Sequence, residues 1–158
     1  MKIKLITVGK IKENYLKEAI NEYTKRLSRY TNLEEIEISD ERAPENLSLK
    51  EIEIIKDKEG NKIINKLNNE FIIALDIKGK QFDSIKLAQK IREIFSYNNS
   101  NIVFIIGGSL GLSKAVLTKA NLKLSFSKLT FPHQLMKVIL LEQIYRSFRI
   151  INNEPYHK

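Results

Sequence analysis

Residues 2–8, KIKLITV, alternate apolar and polar side chains rich in β-branching, a pattern that predicts a strand. From Asn14 to about Arg29, Leu16, Ala19, Ile20, Tyr23 and Leu27 recur at helical spacing, and LEEIEIS at 33–39 alternates again as a second strand. DERAPEN at 40–46 reads as a polar loop. Ser48 with Glu51 three residues on forms a capping-box pattern opening a helix that runs to about Leu67. FIIALDI at 71–77 and NIVFII at 101–106 are continuous apolar runs, the mark of strands covered on both faces. Between them, KGKQFDS reads as a turn and 84–96 as a helix. GGSLGLS then turns into a short helix from about Ser113 to Ala120, LKLSFS reads as a last short strand, and Pro132–Ile150 forms a long final helix. Strands alternating with helices predict one α/β domain over residues 1–158, a mainly parallel sheet flanked by helices.

The final helix departs from ordinary amphipathic patterning. Leu135, Met136, Val138, Ile139, Leu140, Leu141, Ile144, Tyr145 and Phe148 occupy nearly every direction of its wheel. A helix apolar all round is buried all round. One side can pack on the domain's own sheet, and a second copy of the chain is the expected cover for the other, giving a twofold homodimer. Glu142, Arg146 and Arg149 form the one polar strip on this helix.

Composition narrows the chemistry. The chain has 158 residues, 42% hydrophobic, with no cysteine, which excludes disulfides, thiolate metal sites and a cysteine nucleophile. Two histidines, His133 and His157, are too few for a histidine-rich metal site, so no metal is expected. The apolar stretches are too short or too polar to cross a bilayer, and no secretory signal opens the chain; the expectation is a cytoplasmic protein with no membrane partner. A net charge of +8, spread along the chain, favours a polyanionic partner.

Three stretches hold candidate chemistry. Gly107 and Gly108, between a buried strand and a helix start, allow close approach of a ligand to backbone N–H groups. Their G-G-x-x-G spacing departs from the dinucleotide fingerprint, and the Walker lysine is missing. Asp76, at the end of another buried strand, suits a turn cap better than a ribose ligand. SFSKLTFPHQL at 125–135 is irregular and hydroxyl-rich, with no clear period, immediately before the most apolar helix. The tail NNEPYHK carries Tyr156 and His157.

The motifs ITVGK, DERAPEN, DKEG, LDIKGK, FIIGGSLGL, LSFSKLTFPHQL, EQIYRSFRI and the terminal YHK, taken in order from residue 1 to 158, resemble the RlmH family of SPOUT-class RNA methyltransferases. The resemblance implies S-adenosylmethionine as methyl donor and N3 of a pseudouridine in 23S ribosomal RNA as target. It implies a trefoil knot in the carboxyl half and a dimer with the active site at the interface. That the target is reached on the assembled ribosome is a separate expectation, from a small domain with no appended RNA-binding module that needs a large preformed surface. The resemblance places Leu75, Gly107 and Gly108 in the cofactor pocket, wrapped by Phe126, Ser127, Lys128, Leu129, Thr130 and Phe131, with His133, Arg146, Tyr156 and His157 as the catalytic, substrate-side groups. Lys137 stands where the family carries Arg, at an expected RNA contact, and lysine lacks the bidentate fork. The competing functional expectations are a ribosome- or RNA-binding protein of the same fold without turnover, and an enzyme using the Gly107–Gly111 turn for a nucleotide phosphate. Binding of S-adenosylmethionine, as opposed to NAD or ATP, separates them.

Overall fold

The computed structural model describes residues 1–97 and 101–158. Ten elements follow one another: β1 (Lys2–Val8), α1 (Asn14–Leu27), β2 (Asn32–Ile38), α2 (Leu49–Ile64), β3 (Phe71–Gln81), α3 (Ser84–Ser96), β4 (Asn101–Ile106), α4 (Lys114–Lys119), β5 (Leu122–Ser125) and α5 (His133–Ile151). The strands form one sheet in the order β2-β1-β4-β3-β5, and every pairing is parallel. The expected α/β architecture is what the chain adopts.

Side-chain alternation in the strands builds two cores. Ile3, Leu5, Ile73, Ile102 and Phe104 face α1, α3 and α5 on one side of the sheet, where Ile20, Leu87, Ile91, Leu140, Ile144 and Phe148 meet them. Ile6, Val8, Ile72, Val103 and Ile105 face the opposite way and pack against Ile63 of α2 and Val116 of α4. Strands in the middle of such a sandwich have no polar face, which accounts for the unbroken apolar runs of β3 and β4. β2 lies at the sheet edge and keeps its alternation, with Ile38 buried and Asn32, Glu35 and Glu37 exposed.

The capping box is present: Ser48 Oγ accepts from Glu51 N–H at 3.2 Å and Glu51 accepts from Ser48 N–H at 2.7 Å. α2 ends three residues short of the expected Leu67. Lys66 and Leu67 donate instead to Ile63 and Ile64 at 2.9 and 3.1 Å, the tighter turn of a helix terminus. KGKQ, read as a turn, is strand. β3 continues to Gln81 because β5 pairs with it on both sides of an irregularity between Leu75 and Lys80. Tertiary pairing, absent from local pattern, overrides the turn signal of Gly79 there.

Candidate active site

The carboxyl ends of β4 and β5 converge on one cleft with the middle of β3, where its pairing with β5 is interrupted after Leu75. The walls of the cleft include Leu75, Ile106, Gly107, Gly108, Leu112 and Leu124, closed by Phe126, Ser127, Leu129, Thr130, Phe131 and His133. Apolar walls with a few convergent polar groups are the usual make-up of a small-ligand site. Gly111 closes the Gly107–Gly111 turn by donating to Gly108 O at 3.0 Å, and its φ of +84° is one that L side chains rarely adopt. The direction a Cβ would take from Gly111 meets nothing within 4 Å, so this turn presents bare backbone to the cleft.

The segment after β5 is held by its own hydroxyls. Ser125 Oγ donates to Ser127 O at 3.0 Å, and Ser127 Oγ accepts from Leu129 N–H at 3.0 Å. Short local bonds of this kind replace a ladder and leave backbone groups available to a ligand. Lys128 sits within this wrap, but its side chain is exposed and it does not line the cleft. Asp76 lines the cleft and accepts from Lys78 N–H at 3.2 Å, the turn cap expected of it.

Pro132 is the N-cap of α5 and its carbonyl accepts from Met136 N–H at 3.0 Å, so the helix starts one residue later than expected, at His133. The His133 side chain makes no capping bond; its ring lies against Gly9, where an added Cβ would come within 3.3 Å of Nε2. Gly9, with φ +94°, leaves room for the imidazole. Burial lowers the His133 pKa below its ordinary value, against the opposing pull of Asp40 and Glu13. The imidazole at the cleft wall is therefore neutral near neutral pH.

Sequence reasoning missed Glu59. It is 5% exposed and its carboxylate lies against Gly108, 3.6 Å from where a Cβ would stand. Burial raises its pKa, the neighbouring Asp40 and Glu41 push the same way, and the Glu41 N–H it accepts at 3.0 Å opposes them. The signal was present: Glu59 and Ile63 are four residues apart on the buried stripe of α2.

The other substrate-side candidates gather elsewhere. Arg146 donates to Glu142 Oε1 through Nε at 3.0 Å and Nη2 at 2.7 Å. Tyr156 Oη donates to the same oxygen at 3.1 Å, and Arg146 Nη1 lies 3.2 Å from His157 Nδ1. The guanidinium stacks over the Tyr156 ring at 4.6 Å, and that ring meets Tyr145 edge-on at 5.0 Å. The bonds to Glu142 raise the Arg146 pKa; burial and then Glu142 raise that of Tyr156, which stays a neutral donor. Thirteen residues separate His133 from Arg146, roughly 20 Å along the helix. One chain thus unites Arg146, Tyr156 and His157 but leaves His133 at the far end of α5. Arg149 leaves the expected polar strip and turns to Tyr30 and Glu154.

Lys137 is not a free RNA contact. It is 3% exposed, and its Nζ lies 2.7 Å from Glu35 Oε2 on β2. α1 and α3 cover one side of α5, so the lysine's stem points into the domain. On the other side Leu135 is 39% exposed and Ile139 is only partly covered, while the partly covered Met136 and Val138 flank it and pack against the domain's core.

A family described as predicted SPOUT methyltransferase matches residues 1–157. The chain belongs to the SPOUT methyltransferase family. It is 60% identical over 159 residues to the ribosomal RNA large subunit methyltransferase H of Clostridium beijerinckii and 59% identical to that of Clostridioides difficile, covering 100% of both chains in each case. Within the SPOUT methyltransferases it therefore falls in the group of these enzymes. The fold is shared more widely: the solved tRNA (m1G37) methyltransferase of Aquifex aeolicus superposes with a TM-score of 0.53 at 11% identity, over 92% of this chain and 70% of that one. Among the described residues no helix is long and apolar enough to cross a membrane, and no group of three acidic, histidine or cysteine side chains gathers to hold a metal.

Proposed function

We propose that this SPOUT methyltransferase methylates N3 of a pseudouridine in 23S ribosomal RNA on the assembled ribosome, taking the methyl from S-adenosylmethionine, and that it works as a cytoplasmic homodimer. The observation that carries the reading is the cleft at the strand ends, lined by the glycine turn and the hydroxyl-held wrap, in a chain 60% identical to a named large-subunit enzyme. The cleft suits the cofactor. Leu75, Ile106, Leu112 and Leu124 offer apolar walls for a purine, the wrap at 126–131 offers backbone groups for its polar edge, and the space beside Gly111 admits a close approach. When bound, S-adenosylmethionine supplies a methyl group already activated by its positively charged sulfur.

The chain's own residues handle the proton and the charge. The uracil-type N–H must lose its proton as N3 becomes nucleophilic, and His133, neutral and at the cleft wall, is the group suited to accept it. Arg146, kept charged by Glu142, neutralises negative charge growing on the ring oxygens; Tyr156 and His157 hold the base beside it. Holding both reactants at near-attack distance supplies much of the rate. Beyond the cleft a wider groove runs past Gly108–Leu112 and Pro132 to Lys56 and Lys78, whose positive charge suits RNA phosphates.

The separation of about 20 Å between His133 and Arg146 is what favours a dimer. Two α5 helices packed antiparallel about a twofold axis bring the Arg146 end of one protomer to the His133 end of its partner. The exposed Leu135 and the partly covered Ile139 supply the centre of the apolar seam. The same reading carries a single domain over residues 1–158 with a trefoil knot in its carboxyl half.

Mass spectrometry of ribosomal RNA from cells lacking the protein tests the proposal. One pseudouridine in 23S RNA should lose one methyl, restored by the wild-type chain. An unchanged modification profile would defeat it.

A further inference from the structure

The chain does not fray after α5. It reverses at Asn153, whose φ of 52° is left-handed, and Glu154 N–H donates back to Arg149 O at 2.9 Å. The tail then runs back along the helix, so that Tyr156 and His157 reach Glu142 and Arg146. Three side chains from different parts of the chain pin this reversal. Arg149 Nη1 donates to Tyr30 Oη at 3.2 Å and to the Glu154 carboxylate, while Nη2 donates to Pro155 O at 2.9 Å. Tyr30 also donates to Glu154, and Arg29 adds a looser ion pair at 3.7 Å. Tyr30 itself is fixed to the body of the domain, stacked on Phe148 at 5.6 Å with an interplanar angle of 11°.

A terminal segment this short and polar is ordinarily disordered unless tied down. Here the tie joins the tail to the segment after α1 through the Arg149 guanidinium, which reaches Tyr30, Glu154 and Pro155 O, and through Tyr30's own bond to Glu154. Arg149 Nε is buried and lacks an acceptor among the described residues, so the fork is oriented toward the tail at the expense of one of its own donors. Bonding to Tyr30 holds the Glu154 carboxyl below its usual range, and bonding to Tyr30 raises the Arg149 guanidinium, so both stay charged through the neutral range.

We propose that Tyr30, Arg149 and Glu154 form a clamp that positions Tyr156 and His157 for methyl transfer, without taking part in binding the methyl donor. These are positioning residues: they touch neither the cleft nor any group expected to react. The proposal rests on the reading that Tyr156 and His157 work at the substrate side.

Tyr30→Phe and Glu154→Gln test it, because each keeps size and packing and removes one arm of the clamp; the phenyl ring retains its stack on Phe148. Three quantities are measured on the full chain: the Kd for S-adenosylmethionine by calorimetry, kcat and KM for ribosome methylation, and the rate at which a carboxypeptidase releases the terminal residues. The clamp requires unchanged donor affinity, kcat lowered about tenfold or more as misplacement of reacting groups does, KM changed far less, and faster release of the tail. Wild-type kcat in both variants overturns the proposal, whether or not the tail is freed. A fall in donor affinity equal to the fall in kcat also overturns it, since that is general loss of structure. A wild-type chain that methylates no ribosome refutes the underlying reading instead, and the clamp's role falls with it.

Discussion

The ion pair between Lys137 and Glu35 separates a structural lysine from an RNA contact by its asymmetry. Lys137 Nζ lies 2.7 Å from Glu35 Oε2; the lysine side chain is 4% exposed and the glutamate 29%. Glu35 has a second partner, since Thr24 Oγ1 donates to its Oε1 at 3.1 Å, and it keeps contact with water. Removing the glutamate therefore strands a cation in the interior, whereas removing the lysine leaves a carboxylate that solvent and Thr24 still satisfy. Stranding one member of a buried pair costs about 3–5 kcal/mol because it leaves an uncompensated buried charge; taking out the lysine leaves no such charge, since the remaining carboxylate reaches water. At about 2–4 °C per kcal/mol for a domain of this size, Glu35→Ala should lower Tm by roughly 6–20 °C. Lys137→Met should shift it by no more than about 1 kcal/mol's worth, roughly 2–4 °C in either direction. Thermal and urea denaturation of the two variants measure this, with KM for ribosomes taken alongside for Lys137→Met. Equal destabilisation by both substitutions would refute the asymmetry. A raised KM in Lys137→Met at unchanged Tm would restore the RNA contact.

Protonation of His133 below its ordinary pKa of 6.5 sets the acid limit of a reaction that uses it as base. The pH profile of kcat should fall on acidification with a midpoint below 6.5, and the limb should vanish in His133→Gln; a midpoint above that value contradicts the assignment. Glu59 has its pKa raised in the folded state, so the fold holds the proton more tightly than the unfolded chain and loses stability as pH rises from the unfolded value through the folded one. Glu59→Gln, which keeps an acceptor for Glu41 N–H, should raise Tm at about pH 8 and leave it nearly unchanged at about pH 4; the reverse order would show that the charge is favourable. At Gly60 an added Cβ would stand 2.2 Å from Ser113 Oγ, the N-cap of α4. Gly60→Ala should cost about 1–3 kcal/mol for overpacking and about 1 for the lost cap, less about 1 regained in helix propensity. Ser113→Gly should reduce that cost in the double variant, and a Gly60→Ala protein more stable than wild type would mean the site has room.

Local pattern was enough for most elements of this chain. Alternation in 2–8, the unbroken runs in β3 and β4, and the Ser48–Glu51 box are properties of neighbouring residues, and neighbouring residues impose strand pleat, burial on two faces and helix capping. The cleft was legible for a related reason. Its walls come from neighbouring strands β3, β4 and β5 and from one contiguous segment, 125–131, so topology brings them together once the sheet is parallel.

What only the tertiary structure decided involves partners distant in sequence. Whether KGKQ is turn or strand depended on β5 pairing some forty residues later. Lys137 changed from a ligand-facing cation to a buried one because β2 supplies Glu35, a hundred residues upstream. Glu59 became a buried acid only when Gly108 and Glu41 came against it, and the tail became part of a site only when Tyr30 and Arg149 caught Glu154. Periodicity reports which face of an element is apolar, but the charge that meets a buried side chain is set by the chain folding back on itself, and no local pattern encodes it.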